Sequence, residues 1–244
     1  MANHFSDMGF NNICDETDIV QILKDNIETA KEIKVGRYHF FCVCIDGCIE
    51  IWYKTLITHR RGVEIVHWTL HYNTETTTKI INPEWVRKEK GCEILQIWFE
   101  DETYPFNIEV VDKKLTQRIN FNKSYHCQIA CFADAVEIFK TEKGFSEQYG
   151  IMGTKSVIPT GTFDLGKEKT EQTAQAVING IVKGFQRKTN SYTGESYYHV
   201  VLESIDVDFD VLVAEALIDQ QLEINDIMSV RCWVSGRIED VIRA

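Results

Sequence analysis

The sequence predicts an α+β, mostly β protein in two parts, and three observations predict it. Near the N-terminus, apolar residues recur at a helical period. Through most of the remainder they alternate with polar ones, as on half-buried strands. In the last third, a long glycine-broken β run is followed by three shorter ones. One helix set beside many strands is the α+β pattern, and a length of 244 residues suits two ordinary domains. The expected division is an N-terminal antiparallel β domain with one amphipathic helix over 1–155, a crossing segment over 156–173, and a small β domain over 174–244.

The helix comes first. Asp15-Glu16-Thr17 precedes Ile19, Ile22, Leu23, Ile27 and Ala30 on one helical face, and Lys31 and Lys34 follow. Acidic groups at the start and basic groups near the end complement the helix dipole. A helix of about 16 residues is expected, capped by Asp15 or Thr17 and ended by Gly36. Beyond Gly36 the period drops to two. Arg37 to Ile45 and Cys48 to Leu56 flank Asp46-Gly47, a pair suited to a two-residue type I′ hairpin turn. Val66, Trp68, Leu70 and Tyr72 then alternate with His67, Thr69 and His71. Thr74 to Ile81 reads as a strand, Pro83 as a break, and Glu84 to Lys90 as a short charged helix or loop. Strand-like runs resume at Cys92 to Phe99, Tyr104 to Val111 and Tyr125 to Ala133. Glu137 to Tyr149 reads as a helical turn and loop, and Val157 to Gln175 as the crossing.

Ala174 to Phe185 is broken by Gly180 and Gly184, and a polar loop, Arg187 to Gly194, follows. Tyr197 to Glu203, Val207 to Ala214 and Ile227 to Ile238 are strand-like. This order, led by a long bent strand that serves two neighbours, predicts an OB-like (oligonucleotide/oligosaccharide-binding) small β-barrel. On such a barrel the second and third strands and the first loop form the usual ligand face. Arg187, Lys188, Tyr192, Tyr198 and His199, together with Tyr197, are therefore the candidate ligand-binding residues, supplying cations for a backbone and rings for stacking. The same face carries Glu203, Asp206, Asp208 and Asp210, with Val207, Phe209 and Val211 turned toward the core. The aspartate row reads as solvated surface, because a Ca²⁺ or Mg²⁺ cage normally uses a glycine-turned loop that is absent here.

Composition narrows the function classes. With 44% hydrophobic and 26% charged residues the chain is globular, and its formal net charge of −11 is a poor start for binding phosphate backbones. Met1 to Met8 lacks a cationic start ahead of an apolar stretch, and no run of about 18 apolar residues occurs. A cytoplasmic protein with no membrane association and reduced thiols is expected. Cys42 and Cys44 would share a sheet face and Cys48 the other, so packed thiols are expected rather than a zinc cage. Cys127 and Cys131 read the same way. His67 and His71 lie about 13 Å apart on a strand, too far for one ion, and read as an exposed sheet face. Trp52, Trp68, Trp85, Trp98 and Trp233 fall mostly at inward-looking strand positions. Glu100-Asp101-Glu102 is a solvated acidic turn. Dinucleotide, Walker-type, nucleophile-elbow and His-Glu-x-x-His motifs are missing. No catalytic residue, metal site or cofactor is assigned.

His4-Phe5-Ser6-Asp7-Met8-Gly9-Phe10, Gln128 to Ala133, Ile158 to Phe163, and the ending Gly180 through Trp233-Val234-Ser235-Gly236-Arg237 together resemble a set of bacterial proteins of unassigned activity. Those proteins share an N-terminal Phe-Ser-x-x-Gly-Phe motif and an OB-like C-terminal domain. The resemblance implies a bacterial cytosolic protein whose two parts belong together, and it brings no activity to any residue. The functional expectation is a non-enzymatic binding protein that recognises a protein partner through an acidic surface. The alternatives are single-stranded nucleic-acid or oligosaccharide binding on the barrel, and an enzyme with an inter-domain pocket. Oligomeric state is not legible.

Overall fold

A computed structural model of the chain describes residues 4–13, 15–58, 62–74, 76–88, 93–100, 105–111, 119–162, 172–205 and 207–241. A 3-10 turn, His4–Met8, leads to helix α1, Glu16–Asn26. Asp15 caps α1 by accepting the N–H groups of Thr17 at 2.7 Å and Asp18 at 3.2 Å, while Asp18 accepts the N–H of Asp15 in return. This capping box satisfies donors that a helix start otherwise leaves unpaired. The helix has 11 residues, shorter than the sequence suggested. Lys31–Val35 (β1) instead pairs antiparallel with Tyr38–Ile45 (β2), so Gly36, at φ 60°, forms a hairpin turn rather than a helix end. A continued helix would have forgone that ladder.

Ile49–Thr58 (β3) and Gly62–Tyr72 (β4) complete a four-stranded antiparallel sheet in the order β1-β2-β3-β4. Asp46 and Gly47 have φ of 54° and 73°, and the Cys48 N–H donates to the Ile45 carbonyl, as in the expected I′ turn. The ladder, however, matches Ile45 with Ile49, which leaves Cys48 as an extra residue. Cys48 nonetheless packs with Tyr72 and Tyr197, whereas Cys42 packs with Trp52 and Val111.

The second sheet has nine strands. Its first four are Thr78–Lys88 (β5), Glu93–Phe99 (β6), Phe106–Val110 (β7) and Tyr125–Phe139 (β8). Helix α2, Glu142–Tyr149, and Ser156–Ile158 (β9) follow. Gln175–Thr189 (β10), Ser196–Ser204 (β11), Val207–Ala214 (β12) and Ile227–Val241 (β13) end the chain. Pro83 does not end β5. The strand passes through it with a register shift between Ile81 and Glu84, and Asn82 sits at φ 47°. A bulge is where a sheet tolerates a residue that lacks an N–H.

Five of these strands pair in a closed circuit. β8 pairs antiparallel with β13, β13 with β10, β10 with β11 and β11 with β12, and β12 returns to β8 as a parallel neighbour. β10 is the long shared strand: residues 175–181 face β13 and residues 181–189 face β11, with a register shift between Val182 and Gly184. Because β8 belongs to this circuit, hydrogen-bonded ladders connect residues before 156 to residues after 173. Alternate side chains of the five strands, among them Ile129, Cys131, Val182, Leu202, Phe209 and Val230, form one buried core. A second core joins α1, the 3-10 turn and the first sheet to Ala130, Phe132, Tyr197 and Leu212.

Gly180 lies where two backbones approach closely. A Cβ there would meet the Glu203 carbonyl oxygen at 2.6 Å and Leu202 Cγ at 2.7 Å, whereas one at Gly184 would meet nothing within 4 Å. Gly180→Ala is expected to lose about 1–3 kcal/mol of stability in urea titrations, and Gly184→Ala to stay near wild type. No helix among the described residues is long and apolar enough to cross a membrane.

Candidate functional site

The residues expected on the ligand face are drawn together, but largely onto partners within the chain. Arg187 donates to both carboxylate oxygens of Glu215, at 2.7 and 3.1 Å. Lys188 Nζ donates to the Tyr72 hydroxyl at 2.6 Å, and the Tyr192 hydroxyl donates to Asp25 at 2.6 Å. His199 Nε2 lies 2.6 Å from Asp210 Oδ1, with its ring 4.8 Å from that of Tyr72. Tyr198 is half-buried against the core of the second sheet. The loop itself is held to the N-terminal layer. Asn190 Nδ2 donates to the Met8 carbonyl, Thr193 Oγ1 to that of Gly9, and the Ser191 N–H to the Asp46 carboxylate. The hydrogen bond from Tyr192 lowers the pKa of Asp25, while burial and then Asp25 push the Tyr192 phenol up to about 12.

Asp208 is exposed, as expected for a solvated row, but Asp210 is 3% exposed and paired with His199. Asp206 lies outside the described residues. The nine Asp and Glu of residues 189–230 include all three, and that stretch contains no Lys or Arg.

His67 and His71 are not on an exposed face. Edge strand β4 lies against β13, so the polar side of β4 meets the second sheet instead of water. His67 Nε2 is 2.9 Å from Glu109, whose other oxygen accepts the Trp233 indole N–H at 2.8 Å. His71 Nδ1 is 2.9 Å from the Ser235 hydroxyl. Arg237 donates to Glu50 at 2.7 and 2.8 Å, to Asn73 at 2.7 Å, and to Gln128 and Glu239 at 2.8 Å each. Trp52 Nε1 also donates to Glu50. These groups satisfy one another, and the resulting seam is structural. Among the described residues no three His, Cys, Asp or Glu are placed to hold a metal ion. Cys127, Cys131 and Cys232 are fully buried, and burial raises the Cys42 and Cys127 thiols well above the thiolate range.

One concavity, of about 480 Å³, opens beside the β5 bulge and is lined by Asn82, Pro83, Glu84, Trp85, Trp98 and Phe121. Its volume lies within the range of small-ligand sites. Trp85 and Trp98 are half-buried there rather than wholly in the core, and Phe121 is 46% exposed. Alternation gave no warning of this, since it cannot register a bulge. Pro83, two residues before Trp85, was the available signal. The acidic turn expected at 100–102 falls mostly outside the described residues, and its Glu100 pairs with Lys79. Comparison with protein-family models, curated proteins and solved structures gave no match to the chain.

Proposed function

We propose that this chain is a non-enzymatic binding protein of the cytoplasm that recognises a basic protein partner through an acidic surface. The observation that carries the reading is the cation-free stretch 189–230 with its nine acidic residues. Asp208 and Asp219 are exposed on it, beside Glu215 and Glu223, which pair with Arg187 and Lys140 from outside the stretch. A surface of one sign attracts a partner of the other and speeds encounter, an effect that salt screens.

We further read the closed circuit as an OB-like barrel in which β10, β11 and β12 are the first three strands and β8 is supplied from earlier in the chain. The closed pairing and the shared long strand support that reading. On it, the first loop is the one pinned to the N-terminal layer. Recognition is then directed to the outer acidic surface rather than to Arg187, Lys188, Tyr192 and His199. Affinity capture from native lysate at physiological salt is expected to retain a basic protein, and Asp208→Lys/Asp219→Lys to weaken its retention about tenfold. Failure to retain any protein across several growth conditions, or equal retention by the charge-reversed variant, would sink the reading.

A further inference from the structure

The 3-10 turn His4–Met8 carries an acid–base cluster that neither the seam nor the acidic surface uses. Asp7 is 3% exposed, and among the described residues no Lys or Arg lies within ion-pair distance of it. Its carboxylate meets His4 Nδ1 at 3.2 Å and the Ser6 hydroxyl at 3.5 Å. The same His4 nitrogen lies 3.8 Å from Asp134 Oδ1. Asp134 is the extra residue of a bulge in β8: Ala133 pairs with Cys232 and Ala135 with Arg231, so no residue of β13 opposes it. A bulge re-aims a side chain, and this one brings a second carboxylate to the histidine that serves the first. Two carboxylates thus share one imidazole where ionised groups are costly to hold. We propose that the turn is a proton-operated latch: a proton taken up by the His4–Asp7–Asp134 cluster holds the turn on the strands beneath it, and loss of that proton loosens it together with the 190–195 loop.

The turn packs on β8, β11 and β12. Phe5 and Met8 enter the second core with Phe132, Tyr197 and Leu212, and the His4 ring lies 6.1 Å from that of Phe132 and 6.3 Å from that of Trp233 on β13. The loop is tied to the same segment, since Met8 and Gly9 accept from Asn190 and Thr193, and Asn11 Nδ2 donates to Glu195 at 3.0 Å. The turn therefore cannot lift without releasing the loop. The strands around it present Asp134 on β8, Tyr197 and His199 on β11, Asp210 on β12, and Arg231 two residues before Trp233 on β13. His199 and Asp210 pair with each other, and Arg231 is exposed. Of these groups Asp134 acts most strongly on Asp7. Burial first, and then Asp134, push the Asp7 carboxyl from 3.8 up to about 6 against the opposing pull of His4. An undocked turn returns that carboxyl to water and to its ordinary value, so the docked form binds the proton more tightly. The advantage to docking is complete below the ordinary value and is lost as pH rises through about 6.

The test is amide hydrogen exchange of the full chain, read by NMR between pH 4.5 and 7.5 and corrected for the intrinsic base catalysis of exchange. The Gly9 and Phe10 amides, which donate to the Ser6 and Phe5 carbonyls, report the turn, and the Gly194 amide, which donates to the Asn190 carbonyl, reports the loop. Their opening is expected to rise about 25-fold over that range, while amides of the β8–β13 ladder do not follow. Asp7→Asn keeps the shape of the side chain and removes its charge, so it should flatten the rise; a purely structural role would instead shift protection equally at every pH. Asp134→Asn should keep the rise and move its midpoint to lower pH, and it carries the test if Asp7→Asn does not fold, since Asp134 is only half-buried. Parallel pH curves for wild type and Asp7→Asn would overturn the proposal, as would a midpoint that Asp134→Asn leaves in place. A rise shared by the β8–β13 amides would also overturn it, because the opening would then be global unfolding. Asp208 and Asp219 take no part in the latch, so its failure is distinct from failure of the acidic-surface reading.

Discussion

Arg237→Met loses about 3–5 kcal/mol of stability in urea titrations at neutral pH, because Glu50 is left as a buried carboxylate without its cation. The loss follows from the geometry of the seam. Arg237 places its guanidinium against Glu50, Asn73, Gln128 and Glu239, all at 2.7–2.8 Å, and the side chains of Arg237 and Glu50 are 15% and 8% exposed. Arg237→Lys is expected to recover little, since an ammonium cannot reproduce a planar fork that serves four partners at once. Glu50→Leu combined with Arg237→Met should cost clearly less than the sum of the two single changes, because removing both charges removes the desolvation penalty as well as the attraction.

His71 should cost stability in mild acid, against the opposing effect of buried Asp7, whose carboxyl is pushed up to about 6. Burial, followed by the neighbouring Arg237 charge, pushes the pKa of His71 from 6.5 down to about 3, and the Gln128 hydrogen bond and the more distant Asp210 only partly oppose this. The folded state holds the ring neutral, while the unfolded chain takes up a proton below about pH 6.5. The stability contributed by the neutral ring is thus complete above that pH and is lost as pH falls toward 3. The loss is about 2 kcal/mol by pH 5 and about 4 kcal/mol by pH 3. Subtracting the pH dependence of His71→Gln from that of wild type isolates the effect from the titrating carboxylates. Parallel curves for the two proteins would show that His71 is solvated or already charged in the fold.

Local chemistry made much of the fold legible. Asp15 announced the start of α1, Asp46-Gly47 the hairpin turn, and Gly180 and Gly184 the bent shared strand. The misreadings occurred where distant chain decides. Lys31 and Lys34 fit a helix end, but β2 offered a strand partner. Residues 137–139 read as the start of a helical turn because their ladder to β13 lies about ninety residues away, beyond any local window. His67 and His71 alternate like solvent-facing residues, and nothing near them indicates that another sheet covers that side. At the candidate sites, the residue types of the 187–199 region were visible but their internal partners were not. The groove depends on a bulge at Pro83 that period-two counting treats as an ending.

The parallel pairing of β8 with β12 has a consequence for biosynthesis. β8 leaves the ribosome on the order of 80 residues before the part of β12 that it pairs with and about 90 to 115 before its partners on β13, and contacts so distant in sequence form slowly. In that interval both edges of a 15-residue apolar strand lack most of their final partners, since β5 covers only its first three positions. Translation of residues 140–240 is therefore the stage at which the nascent chain is most prone to join another copy of itself, and at which a holding chaperone has the most to protect.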